Sequence, residues 1–153
     1  MDNKTQQKTT QSPHETERLA AELATRLSGG EVIELISDLG GGKTTFTRGL
    51  VAGLGSTDPV ASPTFTISRE YMGGRLGVYH FDFYRLDEAG IIADELAEIV
   101  GDSTGVVVVE WAAIVEQVLP KKRLRIEFST VDESTRQLTF TYPEELSYIM
   151  EAQ

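Results

Sequence analysis

The sequence predicts an α/β domain with a mixed, mostly parallel β-sheet flanked by helices and completed by β-hairpins. Three observations carry that expectation. Leu19, Leu23 and Leu27 recur at helical spacing. Apolar runs at Val32-Ile33-Glu34-Leu35-Ile36 and Val106-Val107-Val108-Val109 have the character of strands covered on both faces. Two further strand pairs flank turn-forming stretches at Met72-Gly73-Gly74-Arg75 and Asp132-Glu133-Ser134.

Taken in order, residues 1–11 are polar and lack a hydrophobic period, so they are expected to form a disordered tail ahead of one domain at 12–153. Ser12-Pro13-His14-Glu15 is a capping box with proline at the first helical position, where a missing N–H costs nothing. The helix it opens runs to Ser28-Gly29-Gly30, a stop signal. A buried strand follows at 32–36, and a second helix from about Lys43 carries Phe46, Leu50 and Leu54 inward before Gly55 ends it. The first hairpin spans Phe65–Tyr71 and Leu76–Phe81, a helix covers Ala93–Val100, and the second hairpin joins Leu124–Thr130 to Gln137–Tyr142. Pro143–Met150 is expected to be a terminal helix.

At 153 residues the chain holds one core of ordinary size. No apolar run approaches the roughly 18 residues of a membrane span, and the polar N-terminus lacks a signal-peptide core. The absence of cysteine excludes disulfides, thiolate zinc sites and a cysteine nucleophile, and is compatible with a reducing cytoplasm. A net charge of −10 disfavours gripping nucleic acid by the general surface, because that binding depends on cations neutralising phosphates. Lys121, Lys122, Arg123 and Arg125 form a local basic run, for which a solvated strand entry is the simpler reading.

The chemical signal lies between the first strand and the second helix, in Ser37-Asp38-Leu39-Gly40-Gly41-Gly42-Lys43-Thr44. Backbone N–H groups reach phosphate oxygens only where no Cβ blocks the approach, hence the glycines. The helix N-terminus behind them adds unpaired donors and a positive dipole end. Lys43 is then placed for the β- and γ-phosphates, the Thr44 hydroxyl for Mg²⁺, and Thr45 for the α-phosphate. The segment reads as a phosphate loop and the domain as P-loop NTPase-like. One position departs from the usual pattern: Ser37 stands where glycine is normal, and a requirement for positive φ there would cost about 1–2 kcal/mol.

Phosphoryl transfer also needs a metal-side acid and a positioned nucleophile. The Val106–Val109 strand ends in Glu110, at the edge of the sheet where ligands bind, which makes Glu110 the first choice for the Mg²⁺ shell. In His80-Phe81-Asp82-Phe83-Tyr84-Arg85, strand alternation puts His80, Asp82 and Tyr84 on one face. Asp82 could orient an attacking water or complete the metal shell, and Arg85 could stabilise charge or pair with an acid. Ser62-Pro63-Thr64 fits either a plain turn or a loop whose hydroxyl meets the metal or γ-phosphate.

Taken together, four stretches resemble the TsaE (YjeE) family of P-loop ATPases. They are Asp38–Phe46 with Arg48-Gly49, Ser62–Thr66, His80–Leu86 and Glu110-Trp111, in matching order and spacing over about residues 12–130. The resemblance implies an ATPase serving tRNA threonylcarbamoyladenosine biosynthesis with the protein partners TsaB and TsaD. In it, TsaD transfers the threonylcarbamoyl group to adenosine beside the anticodon, and tRNA meets this subunit only indirectly. Carried over, Leu39, Gly40, Gly41, Gly42, Lys43, Thr44 and Thr45 contact ATP or ADP, with Thr64 and Asp82 beside it. Lys43, Asp82 and Glu110 are the catalytic set, and Thr44 and Glu110 hold Mg²⁺. Trp111 lies by the partner-facing or switch region, and the implied location is cytoplasmic.

A guanine-specific GTPase needs a late Asn-Lys-x-Asp motif, and the only asparagine is Asn3. A small-molecule kinase shares the loop but usually adds an arginine-bearing lid, which no late segment resembles. A nucleotide-gated assembly module that binds ATP and barely hydrolyses it is the non-enzymatic alternative.

Overall fold

The capping box opens a helix at the expected place. In α1 (Pro13–Ala24) the Ser12 side chain accepts from the Glu15 amide at 3.1 Å, and Glu15 Oε1 accepts from the Gln11 amide at 3.0 Å. The computed structural model describes residues 3–37, 41–61, 67–84, 86–88 and 90–150. The other elements are β1 (Lys4–Thr10), β2 (Val32–Ile36), α2 (Lys43–Gly53), β3 (Ser68–Tyr71), β4 (Gly77–Asp82), α3 (Ile91–Ile99), β5 (Gly105–Glu110), β6 (Leu124–Thr130) and β7 (Arg136–Tyr142). Short 3₁₀ turns follow β5 at Ala112–Val115 and β7 at Glu144–Ile149. The C-terminal segment is therefore 3₁₀-helical.

The seven strands form one sheet in the order β1-β7-β6-β2-β5-β4-β3. The central β6, β2, β5 and β4 are mutually parallel, while β7, β1 and β3 pair antiparallel with their neighbours. Because β1 is antiparallel to an antiparallel strand, it points with the central four, so the sheet is mixed and mostly parallel.

The tail expected to be disordered is instead the edge strand β1, registered along β7 from Lys4↔Tyr142 to Thr10↔Arg136. Its lack of a hydrophobic period misled the sequence reading. An edge strand with one face open to water needs no apolar alternation, and threonine suits a pleated surface. Gln6 Nε2 donates to the Tyr142 hydroxyl at 2.8 Å, and the Thr10 and Thr16 hydroxyls meet at 2.7 Å, tying β1 to both β7 and α1. The fold therefore begins before residue 12.

The sheet has two apolar faces. Ile33, Leu35, Val106 and Val108 pack under Ala20, Leu23, Phe46 and Leu50 of α1 and α2. Val32, Val107, Val109 and Phe81 pack with Leu96 of α3 and Val115 on the other face. Every residue of β5 is buried, as its unbroken valines predict. α1 and α2 approach closely because α2 presents Gly49, where a Cβ would fall 2.2 Å from the Glu17 carbonyl oxygen. Arg75, from the first hairpin turn, donates to the Ala24 and Leu27 carbonyls at 2.8 Å each, capping the end of α1.

At the N-terminal end of β2, the carboxylate of Glu31 collects the amides of Ser28 and Gly29, both at 2.7 Å, and the Tyr148 hydroxyl at 2.6 Å. Burial pushes the Glu31 carboxyl up, but these donors together outweigh it and hold the group below its ordinary range. Burial, and then the facing carboxylate, push the Tyr148 phenol up to about 12. A depressed carboxyl stabilises the fold above its unfolded-state value of 4.5, and that stability is lost as pH falls through the lower folded value. A raised phenol loses its contribution as pH climbs from its unfolded-state value of 10.0 through about 12. Urea denaturation across pH is expected to show both limbs. Glu31→Gln should flatten the acid limb and Tyr148→Phe the alkaline one, and unchanged limbs would refute the assignment.

Candidate functional site

Three parallel strands end together at one edge of the sheet. Leu35 of β2 registers with Glu110 of β5, and Glu110 registers with Asp82 of β4. The chain leaves β2 at Ser37 and re-enters regular structure at Lys43, the first residue of α2, with Gly42 as its N-cap. Gly42 has φ 108°, a left-handed backbone that glycine adopts without a Cβ penalty. Gly41 is buried, and Thr44 and Thr45 lie half-buried in the first turn behind Lys43. Leu39, Gly40, Thr64 and Arg85 lie outside the described residues.

Lys43 and Glu110 are the centre of the arrangement. Lys43 Nζ donates to the Ser37 carbonyl at 3.1 Å, lies 3.5 Å from Glu110 Oε1 and sits 4.8 Å from the centre of the Trp111 ring. Both side chains are buried. Ser37 takes no strain in glycine's usual place, because the non-glycine residues with positive φ among those described are Ile67 and Trp111. Its contribution is a backbone carbonyl, which any residue can supply.

Asp82 is buried beside Glu110, and its Oδ1 accepts from the Tyr84 amide at 2.9 Å. β4 ends at Asp82, so Tyr84 does not share a strand face with His80 and Asp82 as strand alternation predicted. Tyr84 instead packs on Trp111, ring centres 4.9 Å apart. Trp111 itself has φ 56° and ψ 53°, a left-handed conformation costing a non-glycine residue about 1–2 kcal/mol. It stands between two openings. One, of about 370 Å³, is lined by Lys43, Tyr84, Leu86 and Arg125 among others; the second, of about 580 Å³, is lined by Gly41, Phe128, Ser129 and Thr130.

His80 carried no separate role in the sequence reading, yet its Nε2 lies 2.5 Å from Glu110 Oε2. Its shared face with Asp82 was legible, but the adjacency of β4 to β5 was not. Three residues of the basic run, Lys122, Arg123 and Arg125, form ion pairs. Arg123 meets Glu34 at 3.0 Å and Glu116 at 2.5 Å, Arg125 meets Glu34 at 3.3 Å, and Lys122 meets Glu145 at 2.6 Å. Those cations are occupied within the fold.

A glycine-rich link from a central parallel strand into a helix, a lysine opening that helix and an acid on the tip of the adjacent strand define a P-loop NTPase-like protein. The residues fit a nucleotide with Mg²⁺. That ion is usually held by one or two protein oxygens together with substrate phosphates, and Thr44 and Glu110 offer such a donor set.

Comparison with known proteins places the chain more narrowly. The model of a family described as "Threonylcarbamoyl adenosine biosynthesis protein TsaE" matches residues 10–138. The chain is 43% identical over 136 residues to the tRNA threonylcarbamoyladenosine biosynthesis protein TsaE of Bacillus subtilis, covering 86% of this chain and 82% of that one. It is 36% identical over 128 residues to the TsaE of Treponema pallidum, covering 84% and 94% of the two chains. The crystal structure of Bacillus subtilis YdiB superposes with a TM-score of 0.81 at 38% identity, over 98% of this chain and 94% of that one. The chain belongs to the TsaE family, and so to tRNA threonylcarbamoyladenosine biosynthesis.

Removing one member of a buried ion pair leaves the other charge uncompensated. Glu110→Ala strips Lys43 of its carboxylate and His80 of its hydrogen-bond partner, so a loss of about 3–5 kcal/mol in urea denaturation is expected. A change within about 0.5 kcal/mol would show that the pair is not formed in solution.

Proposed function

We propose that this chain binds ATP with Mg²⁺ at its phosphate loop and hydrolyses it, weakly alone and faster with TsaB and TsaD, to support threonylcarbamoyl transfer to tRNA. The observation that carries the reading is the meeting of Lys43, at the start of α2, with Glu110, at the tip of β5, on the edge where the glycine-rich link lies. Contacts to the nucleotide are proposed for Leu39, Gly40, Gly41, Gly42, Lys43, Thr44 and Thr45, with Thr64 and Asp82 beside it.

Lys43 exchanges the Ser37 carbonyl and the Glu110 carboxylate for the β- and γ-phosphate oxygens, swapping one set of acceptors for a more highly charged one. Thr44 and Glu110 are the groups that would hold magnesium. Bound magnesium supplies charge neutralisation at the phosphate oxygens. Asp82, in register with Glu110, would orient the attacking water or complete the metal shell, and its neighbour position supports either role. The opening beside Gly41, about 580 Å³, has room for a nucleoside.

The acidic chain and its paired basic run fit a subunit that leaves tRNA to its partners. Among the described residues no helix is long and apolar enough to cross a membrane, and we place the protein's work in the cytoplasm with tRNA modification.

Reconstitution tests this directly: tRNA modification and phosphate release measured with TsaB–TsaD and this chain present, absent or carrying Lys43→Ala. Expected are weak ATP hydrolysis alone, stimulation by the partners, and loss of tight nucleotide binding in Lys43→Ala. Unchanged nucleotide affinity in that variant would refute the loop assignment. Nucleotide binding without stimulated phosphate release would favour an assembly module, and a phosphorylated metabolite from labelled ATP would favour a kinase.

A further inference from the structure

The two oxygens of a carboxylate are chemically identical, and the torsion that exchanges them is soft. In Glu110 they face different partners. Oε1 lies toward Lys43 at 3.5 Å, while Oε2 lies 2.5 Å from His80 Nε2. His80 is fully enclosed in the middle of β4, at 0% exposure, and its ring nitrogen Nδ1 is a buried polar atom without a hydrogen-bond partner. Register accounts for the contact. His80 pairs with Val108 and Asp82 with Glu110, and alternation puts His80 and Glu110 on the face beneath α2.

A carboxylate only accepts, so the proton in this contact belongs to the imidazole and Nε2 donates. The tautomer carrying hydrogen at Nε2 leaves Nδ1 with a lone pair and avoids a buried, unanswered N–H there. A histidine used only to fill the core would gain nothing from leaving one nitrogen unsatisfied, whereas a donor committed to Glu110 requires only the other. Without that donor, the Glu110 carboxylate would rotate about its soft terminal torsion, and no single direction toward a metal would be held.

We propose that His80 is a positioning residue: its Nε2–H pins one oxygen of Glu110, leaving the other aimed at Lys43 and the phosphate loop. This rests on reading Glu110 as the acid of the nucleotide site. The logic is that of outer partners that orient metal ligands, whose loss typically costs 10–100-fold in metal affinity or activity.

The test uses the full chain, a fluorescent ATP analogue with and without Mg²⁺, and phosphate release with TsaB–TsaD. His80→Leu is expected to keep Mg²⁺-free nucleotide affinity within about twofold of the unmodified chain. Its Mg²⁺ half-saturation and kcat should worsen by about 10–100-fold with KM little changed. His80→Gln, whose amide donates from near the Nε2 position, should recover most of the loss, and His80→Leu should add nothing on a Glu110→Gln background. Equal impairment of the Leu and Gln variants, or none in either, would overturn the proposal. If Glu110→Gln itself leaves the Mg²⁺ dependence untouched, the reading of Glu110 fails and His80's role falls with it. Nitrogen-15 NMR of the unmodified chain decides the matter even if His80→Leu does not fold. His80 and the exposed His14 are its only histidines, so their ring signals separate on substituting His14. A protected ring proton on His80 Nε2 is expected, and one on Nδ1 alone would sink the proposal.

Discussion

β2 and β5 pair in parallel from Val32↔Val107 to Leu35↔Glu110, and this register decides which side chains can meet at the loop. A parallel pair cannot be joined by a tight turn, so the intervening chain has to cross over and return. Here it does so through α2, the β3–β4 hairpin and α3. Shifting β5 by one residue would turn Glu110 to the opposite face, away from Lys43, and would send every valine of β5 into the wrong core. The buried valines thus hold an acid in place as well as stabilising the sheet. Each contributes about 1.5–3 kcal/mol of apolar burial, and together they fix the position of one carboxylate.

That carboxylate sits in costly company. Lys43, His80, Asp82 and Glu110 are all buried within one small region, where charges unpaired by neighbours would be heavily penalised. Lys43 is held by three different groups, none of them at the geometry of a short bidentate pair: a carbonyl at 3.1 Å, a carboxylate oxygen at 3.5 Å and an aromatic face at 4.8 Å. The left-handed backbone at Trp111 brings that aromatic face into reach, at a local cost repaid by the surrounding packing. An ammonium shared among such partners can leave them for phosphate oxygens without stranding a single tight ion pair.

Much of this was legible in the sequence, for physical reasons that differ from element to element. The capping box, the all-valine strand and the glycine-lysine-threonine run are local signals, and local chemistry places α1, β5 and the start of α2. Glu110 was singled out because the valine run ends in it, and the structure sets it at the tip of β5, 3.5 Å from Lys43. β1 was missed because its partner β7 lies about 130 residues away and its open face demands no apolar pattern. His80's link to Glu110 was missed for the same reason: contact across parallel neighbours depends on strand order, which sequence periodicity does not encode. Tyr84 was misplaced by extending strand alternation two residues beyond the point where β4 ends.

The two ends of the central sheet show how one fold separates anchoring from exchange. Glu31, before β2, draws two backbone amides and a phenol, every one at 2.7 Å or closer. Its carboxylate is well satisfied by donors fixed in the fold, and it locks the C-terminal 3₁₀ turn against the end of α1. Glu110, at the opposite end of the neighbouring strand, has one firm donor in His80 and one distant cation in Lys43. Low local dielectric strengthens both clusters, yet the second leaves a cation loosely held, and that cation, Lys43, lines the opening of about 370 Å³. The difference in hydrogen-bond satisfaction between two buried glutamates therefore marks which end of the sheet is structural support and which is prepared to trade partners.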